Sequence, residues 1–204
     1  MQVKKEKVTQ AITDNAYLEF LEKGYQGTSM RSIAKRSGIS LANIYNYFSS
    51  KDDLFCEILR PLTDNILGYI EYIRPENYLE DHLESLEEHM VIAEKMAEYI
   101  DREREKLNLL LFKAAGSSLE RFRDKVIDLY TEISLSYSKI ISLKETGKEF
   151  IVSEFVAHNI AGTWANFIVE SLMHNLSKED IAKSGKEMML FMYNGWTALM
   201  REKD

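Results

Sequence analysis

Apolar side chains recur every three or four residues along most of this chain of 204 residues. Ile12, Ala16 and Phe20, for example, are spaced four apart and form one stripe if the segment is a helix. The chain has only two prolines and nine glycines, so it lacks the frequent turns that an all-β protein requires. The pattern therefore predicts an all-α fold.

The composition favours a soluble, cytoplasmic protein. Apolar residues make up 45% and charged residues 29%, which is typical of a globular chain rather than a disordered one. No apolar run approaches the roughly 20 residues of a membrane span, and the first ten residues lack an apolar signal core. We therefore expect no membrane partner. A single cysteine, Cys56, excludes an internal disulfide framework and a cysteine-based zinc site.

Charge is unevenly distributed along the chain. Residues 1–60 contain nine Lys or Arg and seven Asp or Glu, whereas the whole chain carries a net charge of −7. Five cations and no acid occur from Lys23 to Lys51. An acid-free basic stretch in an acidic protein indicates a polyanion site confined to one end. Chance clustering on a solvated face is the alternative.

Caps and periodicity together divide the chain into helices. Ser29 and Ser50 are suited to N-cap positions, and Gly24 and Gly38 to positive φ angles at helix ends. Pro61 is expected to kink the helix that contains it, and a domain boundary is expected near Pro75. The predicted helices are Lys4–Lys23, Ser29–Arg36, Leu41–Tyr47, Ser50 to about Pro75, Asn77–Ile100 (capped by Asn77 and Glu80), Leu107–Ala115, Ser117–Gly147, Glu149–Asn175 and Lys178–Arg201.

Two short helices joined by a glycine-containing turn, Ser37–Ser40, predict a helix-turn-helix unit. In such a unit the second helix enters the major groove of DNA, where Asn43 and Asn46 can bond base edges. Tyrosine hydroxyls can donate to phosphates, and Leu41 or Ala42 can touch a thymine methyl group. The motif therefore indicates DNA binding.

The ordered residues of this region resemble the signature of the TetR-type transcriptional regulators over roughly residues 8–58. The segments that carry the resemblance are Thr28-Ser29-Met30-Arg31-Ser32-Ile33-Ala34, Ser37-Gly38-Ile39-Ser40, Ile44-Tyr45-Asn46-Tyr47-Phe48 and Ser50-Lys51-Asp52-Asp53-Leu54. Leu41 and Ala42 depart from the polar or glycine residues common at those positions. The DNA-contacting residues assigned from the motif are Thr28, Ser29, Arg31, Ser40, Leu41, Ala42, Asn43, Tyr45, Asn46, Tyr47 and Lys51.

The resemblance implies a three-helix DNA-binding head on a helical ligand-binding body. Its expected boundaries are residues 1–50 for the head, 51–75 for a connecting helix and 76–204 for the effector-binding and dimerisation body. It further implies a homodimer on a palindromic double-stranded operator, released by a small molecule of unknown identity. Repression is the favoured sign of regulation. The implied partners are thus DNA, an effector and a second copy of the chain.

The body contains candidates for two surfaces. Small and apolar residues on the last two predicted helices favour a four-helix dimer interface, with packing of both helices within one subunit as the alternative. These residues are Ala161, Gly162, Ala165, Ile181, Gly185, Met188, Met192, Gly195 and Leu199. Aromatic and polar residues could line an effector cavity, with core packing as the alternative. They are Asn108, Phe112, Phe122, Tyr130, Tyr137, His158, Trp164 and Phe167.

Enzyme and metal signatures are absent from the sequence, so we expect no catalytic residues, cofactor or metal. His82 and His89 are seven residues apart, about 10.5 Å along a helix, and cannot share one metal unaided. Cys56 lies in an apolar helix and is interpreted as an inert thiol. The alternative to a regulator is a helical small-molecule-binding protein or enzyme that retains a vestigial head.

Overall fold

The computed structural model describes residues 2–75 and 85–201, and within them it contains helices and no strand. None of the helices in these two ranges is both long and apolar enough to cross a lipid bilayer. The all-α prediction is confirmed. The helices are α1 (Gln2–Gly27), α2 (Met30–Ser37), α3 (Leu41–Ile44), α4 (Lys51–Tyr72), α5 (Leu86–Arg102), α6 (Arg104–Phe112), α7 (Phe122–Thr146), α8 (Glu154–Met173) and α9 (Lys178–Arg201).

The chain forms two compact units that do not follow the predicted boundaries at residues 50 and 75. The N-terminal unit contains the chain up to Asn65 together with Glu105–Phe122. The C-terminal unit contains the described residues of Ile66–Arg104 and of the chain from Arg123 onward. Helix α4 therefore contributes to both units. Boundaries drawn along the sequence cannot show that Glu105–Phe122 packs in the N-terminal unit, because that packing depends on tertiary contacts.

Several helix ends differ from the predicted ones because side-chain caps stop or delay the helix. Helix α7 begins at Phe122 and not at Ser117, since the Ser117 hydroxyl accepts from the Leu119 amide and holds a turn. Helix α8 begins after its N-cap Ser153, five residues later than predicted. Helix α4 continues through Pro61. The predicted cap at Asn77 and Glu80 lies outside the described residues, and the described part of that region begins its helix at the capping box of Ser85.

Aromatic residues form the core of the N-terminal unit around α1 and α4. Phe20 and Phe55 are fully buried, with ring centroids 4.9 Å apart in an edge-to-face arrangement. The Tyr25 ring packs against both, 6.1 Å from Phe20 and 5.0 Å from Phe55. The stripe of Ile12 and Ala16 is also fully buried, as the spacing predicts. This core fixes the end of α1 against the start of α4.

Helix α1 bends at Gly24, where φ is 67° and ψ is 175°. This backbone conformation is essentially restricted to glycine. After the bend, the Tyr25 amide donates to the Lys113 carbonyl over 2.8 Å, and the Lys113 ammonium donates to the Leu21 carbonyl. Further along the same loop, the Ser118 amide donates to the Asp52 carboxylate over 2.9 Å. The segment from residue 105 to 122 therefore supports both the bend and the first turn of α4.

Helices α5 and α9 pack closely in the C-terminal unit. Gly185 is buried, and a Cβ placed there would lie 3.6 Å from the side chains of Ala93 and Met96. Lys186 forms an ion pair with Glu94 across the same two helices. The predicted close approach at Gly185 is therefore made to α5 of the same chain.

We predict that Gly24→Ala destabilises the protein because alanine is strained at a φ of +67°. The free energy of unfolding should fall by about 1–3 kcal/mol in chemical denaturation. Gly68→Ala is the matched control, because Gly68 lies inside α4 and a Cβ added there would meet nothing within 4 Å. That substitution should raise stability by roughly 0.4–1 kcal/mol. Equal effects at the two positions would contradict the interpretation of the bend.

Candidate nucleic-acid interface

Helices α2 and α3 form the predicted helix-turn-helix, and local sequence defines each of its ends. Ser29 is the N-cap of α2, accepting from the Ser32 amide over 3.0 Å while the Ser32 hydroxyl accepts from the Ser29 amide. Gly38 ends α2 with a φ of 65°. Ser40 then caps α3 by accepting from the Asn43 amide. The turn between the helices therefore has the composition and the conformation that the motif predicts.

Helix α3 is shorter than predicted and presents one face to solvent. It ends at Ile44 rather than Tyr47, with Tyr45 as its C-cap, and continues as a turn. Ile44 is fully buried, while Tyr45 is 51% exposed. The other residues of α3 and its flanks that were predicted to contact DNA fall into two groups. Ser40, Ala42 and Asn46 are exposed, and Leu41, Asn43 and Tyr47 are half-buried.

The Thr28 side chain is almost entirely buried, which leaves its hydroxyl poorly placed for the predicted contact with DNA. It is only 3% exposed. Its hydroxyl donates to the carbonyls of Glu19, over 3.2 Å, and Gly24, over 2.8 Å. A threonine hydroxyl can satisfy carbonyls at the end of a helix, and Thr28 does so for α1. Ser29 and Arg31 beside it are exposed.

Lys51 is held by protein groups. Its ammonium donates to the carbonyls of Tyr25, over 2.7 Å, and Thr28, over 2.8 Å. It also lies 4.0 Å from the centroid of the Tyr25 ring. Desolvation lowers the pKa of Lys51, opposed by the neighbouring Asp52 carboxylate. The Lys51 side chain therefore already has three contacts within the protein. A contact between Lys51 and a DNA phosphate stays a prediction.

Two of the five cations in the acid-free stretch are neutralised by acids of α1. Arg36 pairs with Glu22 at 2.8 Å and with the nearly buried Glu19 at 3.0 Å. Lys23 also pairs with Glu19. Among the described residues, Arg31 and Lys35 have no ion pair or hydrogen bond through their side chains. The cationic surface available to a polyanion is therefore smaller than the sequence suggests.

An open surface depression of about 480 Å³ lies where α2 begins beside α3. Six of its seven lining residues were assigned to DNA contact from the motif. The lining consists of Thr28, Ser29, Met30, Arg31, Leu41, Tyr45 and Lys51. The fold thus brings the two ends of the motif, 28–31 and 41–51, to one surface.

The predicted effector residues do not all belong to one unit. Asn108, Phe112 and Phe122 are in the N-terminal unit, where Phe112 is 42% exposed and Phe122 is buried. The other five are in the C-terminal unit. They are Tyr130, Tyr137, His158, Trp164 and Phe167.

Within the C-terminal unit, these five residues differ in environment. The Tyr137 hydroxyl donates to the Ile73 carbonyl over 3.1 Å, and the rings of Trp164 and Phe167 are 6.0 Å apart. Burial raises the pKa of Tyr130. The His158 side chain is 53% exposed and lies beside Asp128 on the surface. His158 is therefore poorly placed to orient a ligand in the interior.

The predicted dimer residues separate into inward and outward groups. Ala161, Ile181 and Gly185 are buried within the subunit, so their assignment to an interface between subunits is corrected. The outward group includes three half-buried residues, Ala165, Met188 and Met192, and Leu199, which is 41% exposed. It also includes two glycines, Gly162 and Gly195, at which an added Cβ would meet no atom within 4 Å.

Sequence reasoning missed large apolar side chains on α8 and α9 that face solvent. Phe155 is 78% and Phe191 is 73% exposed, and Leu190 is 45% exposed. Small residues at helical spacing, from which the interface was predicted, give no indication of them. The signal that could have found them is the position of Phe191 and Leu190 on the side of α9 away from Ile181 and Gly185.

Comparison with known proteins agrees with this geometry. Residues 12–58, which include α2, α3 and the start of α4, match the family model described as bacterial regulatory proteins, tetR family. The N-terminal part of the chain is thus similar to the tetR family. The resemblance identified from the motif is thereby confirmed.

Curated relatives match over part of the chain. The HTH-type transcriptional regulator PksA of Bacillus subtilis strain 168 is 31% identical over 78 residues, 38% of each protein. The HTH-type transcriptional repressor KstR2 of Rhodococcus jostii strain RHA1 is 37% identical over 57 residues, 28% of each protein. The matched part is thus well under half the length of these relatives.

A likeness to solved structures covers most of the chain. The crystal structure of the regulator FadR from Bacillus subtilis, in complex with stearoyl-CoA, matches with a TM-score of 0.57. The match covers 88% of this chain and 96% of FadR at 16% identity. At this identity the match shows a shared fold.

We predict that Arg36→Met weakens the N-terminal unit most at neutral pH. The Lys23 hydrogen bond, and then that of Arg36, hold the pKa of Glu19 below its usual range, although burial raises it. A carboxyl group whose pKa is lower in the folded than in the unfolded protein stabilises the folded state at pH values above its unfolded-state pKa. That stabilisation is lost as the pH falls through the folded-state pKa. The variant should therefore melt a few degrees lower at pH 7, with the difference shrinking toward pH 3.

Lys35→Met is the control for this prediction, because Lys35 is the neighbouring cation without an ion pair. Its melting temperature should match that of the unsubstituted protein across the same pH series. The role given to Glu19 would be contradicted if Arg36→Met lowered the melting temperature by the same amount at every pH from 7 to 3.

Proposed function

We propose that this protein is a DNA-binding transcriptional regulator that binds a palindromic operator as a homodimer and is released by a small-molecule effector. Repression is the favoured sign. The observation that carries the proposal is the two-sided character of α3, with Ile44 fully buried and Tyr45 half exposed. A recognition helix needs one face anchored in the protein and one face free to enter the major groove.

The exposed groups have chemistry suited to DNA. The Asn46 carboxamide can bond base edges, and the Tyr45 hydroxyl can donate to a phosphate. Arg31 lies on the same open depression as Tyr45 and has a guanidinium without a protein partner. Arginine binds phosphate oxygens in a planar, two-pronged geometry. These groups support readout by α3 with backbone contacts from the start of α2.

The relatives support the regulatory and effector parts of the proposal. KstR2 is a repressor, and FadR binds stearoyl-CoA in a fold shared with this chain. We place the effector in the C-terminal unit, near Tyr130, Tyr137 and the ring pair of Trp164 and Phe167. A coupling of about 1–3 kcal/mol between effector and operator is enough for useful release.

Selection of bound duplexes from a random DNA pool tests the proposed function directly. The purified protein should enrich a palindromic sequence at stated salt, and a metabolite extract that contains the effector should release it. Enrichment of no sequence by a protein that is folded, both with and without the extract, would overturn the proposal. That result would favour the small-molecule-binding or enzymatic alternative with a vestigial head.

We predict that Arg31→Met reduces the salt dependence of operator binding, because Arg31 has no protein partner and can neutralise a phosphate. The slope of log K against log salt concentration should become shallower by about 0.9 for each head, or about 1.8 for a dimer. The measurement is a series of binding titrations between about 50 and 200 mM salt.

Arg36→Met provides the matched control from the same helix. Its guanidinium is paired with Glu19 and Glu22, so its removal should leave the salt slope unchanged. Equal slopes for Arg31→Met and the unsubstituted protein would show that Arg31 does not contact phosphate.

We further propose that the exposed apolar residues of α8 and α9 contribute to the homodimer. Phe155 and Phe191 are each more than 70% exposed, which is unfavourable for large aromatic side chains in water. Patches of this kind commonly mark protein interfaces. Both residues belong to the C-terminal unit, where the resemblance to the family places dimerisation.

We predict that Phe191→Glu produces a monomer, because a carboxylate would have to be buried at the interface. Light scattering should give half the mass of the unsubstituted protein. Binding to the palindromic duplex should weaken by about 100-fold, since the two heads no longer act as one bivalent unit. Leu18→Glu is the control for mass, because Leu18 is a 46% exposed residue of α1. A dimeric Phe191→Glu protein would contradict this assignment.

A further inference from the structure

Lys51 joins the start of α4 to the segment between α1 and α2. It is the first residue of α4, yet its ammonium bonds the carbonyls of Tyr25 and Thr28, 26 and 23 residues earlier. The ring of Tyr25 provides a third contact, 4.0 Å from the nitrogen. Two donated hydrogen bonds and one ring face therefore surround the charge.

The two carbonyls lie at a critical place in the backbone. Tyr25 follows the Gly24 bend, and Thr28 directly precedes Ser29, the N-cap of α2. Carbonyls at a helix end lack partners within the helix and need other donors. Lys51 supplies a donor to each of them. The side chain thus connects the geometry of the bend to the position at which α2 begins.

Thr28 holds the same segment from the opposite side. Its buried hydroxyl donates to the carbonyls of Glu19 and Gly24, while its own carbonyl accepts from Lys51. Arg31 lies in the first turn of α2, three residues after Thr28. Any shift of residues 25–28 must therefore move the start of α2 and the Arg31 side chain.

We propose that Lys51 is a positioning residue for DNA binding: it holds residues 25–28 so that Arg31 and the first turn of α2 meet the DNA backbone. This inference rests on the proposed function. It deepens that proposal by giving Lys51 a role in placing Arg31, the cation that binds the DNA backbone.

Lysine and arginine are expected to differ at this position. An ammonium is compact and directs its hydrogens to separate acceptors, whereas a guanidinium is planar and wider. The two carbonyls lie 2.7 and 2.8 Å from the nitrogen, which leaves no space for the larger group in the same place. For a phosphate contact on an open surface, by contrast, arginine replaces lysine without loss of charge.

The test uses the full-length protein with Lys51→Arg, Lys51→Met and Thr28→Val. Each is titrated with the selected duplex over a salt series, after circular dichroism shows that it is folded. Thr28→Val perturbs residues 25–28 without changing charge, so it reports on the segment if Lys51→Met does not fold. Lys125→Met, an exposed cation of α7, is the control. Amide hydrogen exchange of residues 25–32 is measured without DNA.

We expect Lys51→Arg, Lys51→Met and Thr28→Val each to weaken binding by about tenfold or more. Because a displaced Arg31 no longer reaches its phosphate, Thr28→Val should also make the salt slope shallower by up to about 0.9 per head, although it removes no charge. Exchange in residues 25–32 should increase in all three. Combining Lys51→Met with Arg31→Met should weaken binding by less than the product of the two separate effects, because Lys51 acts through Arg31.

Three results would overturn the inference. Full binding by Lys51→Arg, with a slope about 0.9 shallower per head in Lys51→Met and unchanged in Thr28→Val, assigns Lys51 a phosphate contact and no positioning role. Binding by the variants equal to that of the unsubstituted protein gives Lys51 no role in DNA binding. Unchanged exchange in residues 25–32 removes the physical link. Failure of the unsubstituted protein to bind any duplex differs from all three, because it overturns the proposed function itself.

Discussion

Two hydrogen bonds from one ammonium group to backbone carbonyls join the end of α1, the start of α2 and the start of α4. Lys51 bonds the carbonyls of Tyr25 and Thr28, and these flank the stretch between the Gly24 bend and the cap of α2. The Tyr25 ring also packs on Phe20 and Phe55, so Tyr25 connects the aromatic core to the exposed motif. The orientation of the helix-turn-helix therefore depends on a side chain that lines the same surface depression as Arg31 and Tyr45.

Local sequence was sufficient to predict the helix-turn-helix but not the charge that it presents. Ser29, Gly38 and Ser40 act on neighbours three to five residues away, and their capping geometry is as expected. The pairing of Arg36 with Glu22 and Glu19 joins residues 14 and 17 apart and requires α1 to pack against α2. An acid-free run of sequence can thus be neutralised by acids from another helix. Surface charge is a property of the packed unit, and a count along the chain overstates it here.

In the body, the sequence predicts helices more reliably than it predicts the surfaces that those helices bury. Periodicity identifies α9 to its first and last residue, but it cannot say which partner a stripe of small residues meets. Gly185 faces α5 within the subunit, while Phe191 on the same helix faces solvent. The effector residues were chosen by type alone, and three of the eight fall in the other unit. Fold class follows from pattern, whereas the assignment of a face to core, cavity or interface follows from tertiary packing.

The return of residues 105–122 to the N-terminal unit has a consequence for synthesis of the protein. The ribosome produces the helix-turn-helix early, but the loop that bonds Tyr25 and Asp52 is made only after most of α4, α5 and α6 has emerged. At about 5–20 residues per second, this delay amounts to several seconds. During that interval the Gly24 bend and the first turn of α4 lack their later partners. The nascent DNA-binding unit is thus completed by a segment that arrives last, and premature termination before residue 105 would leave it unfinished.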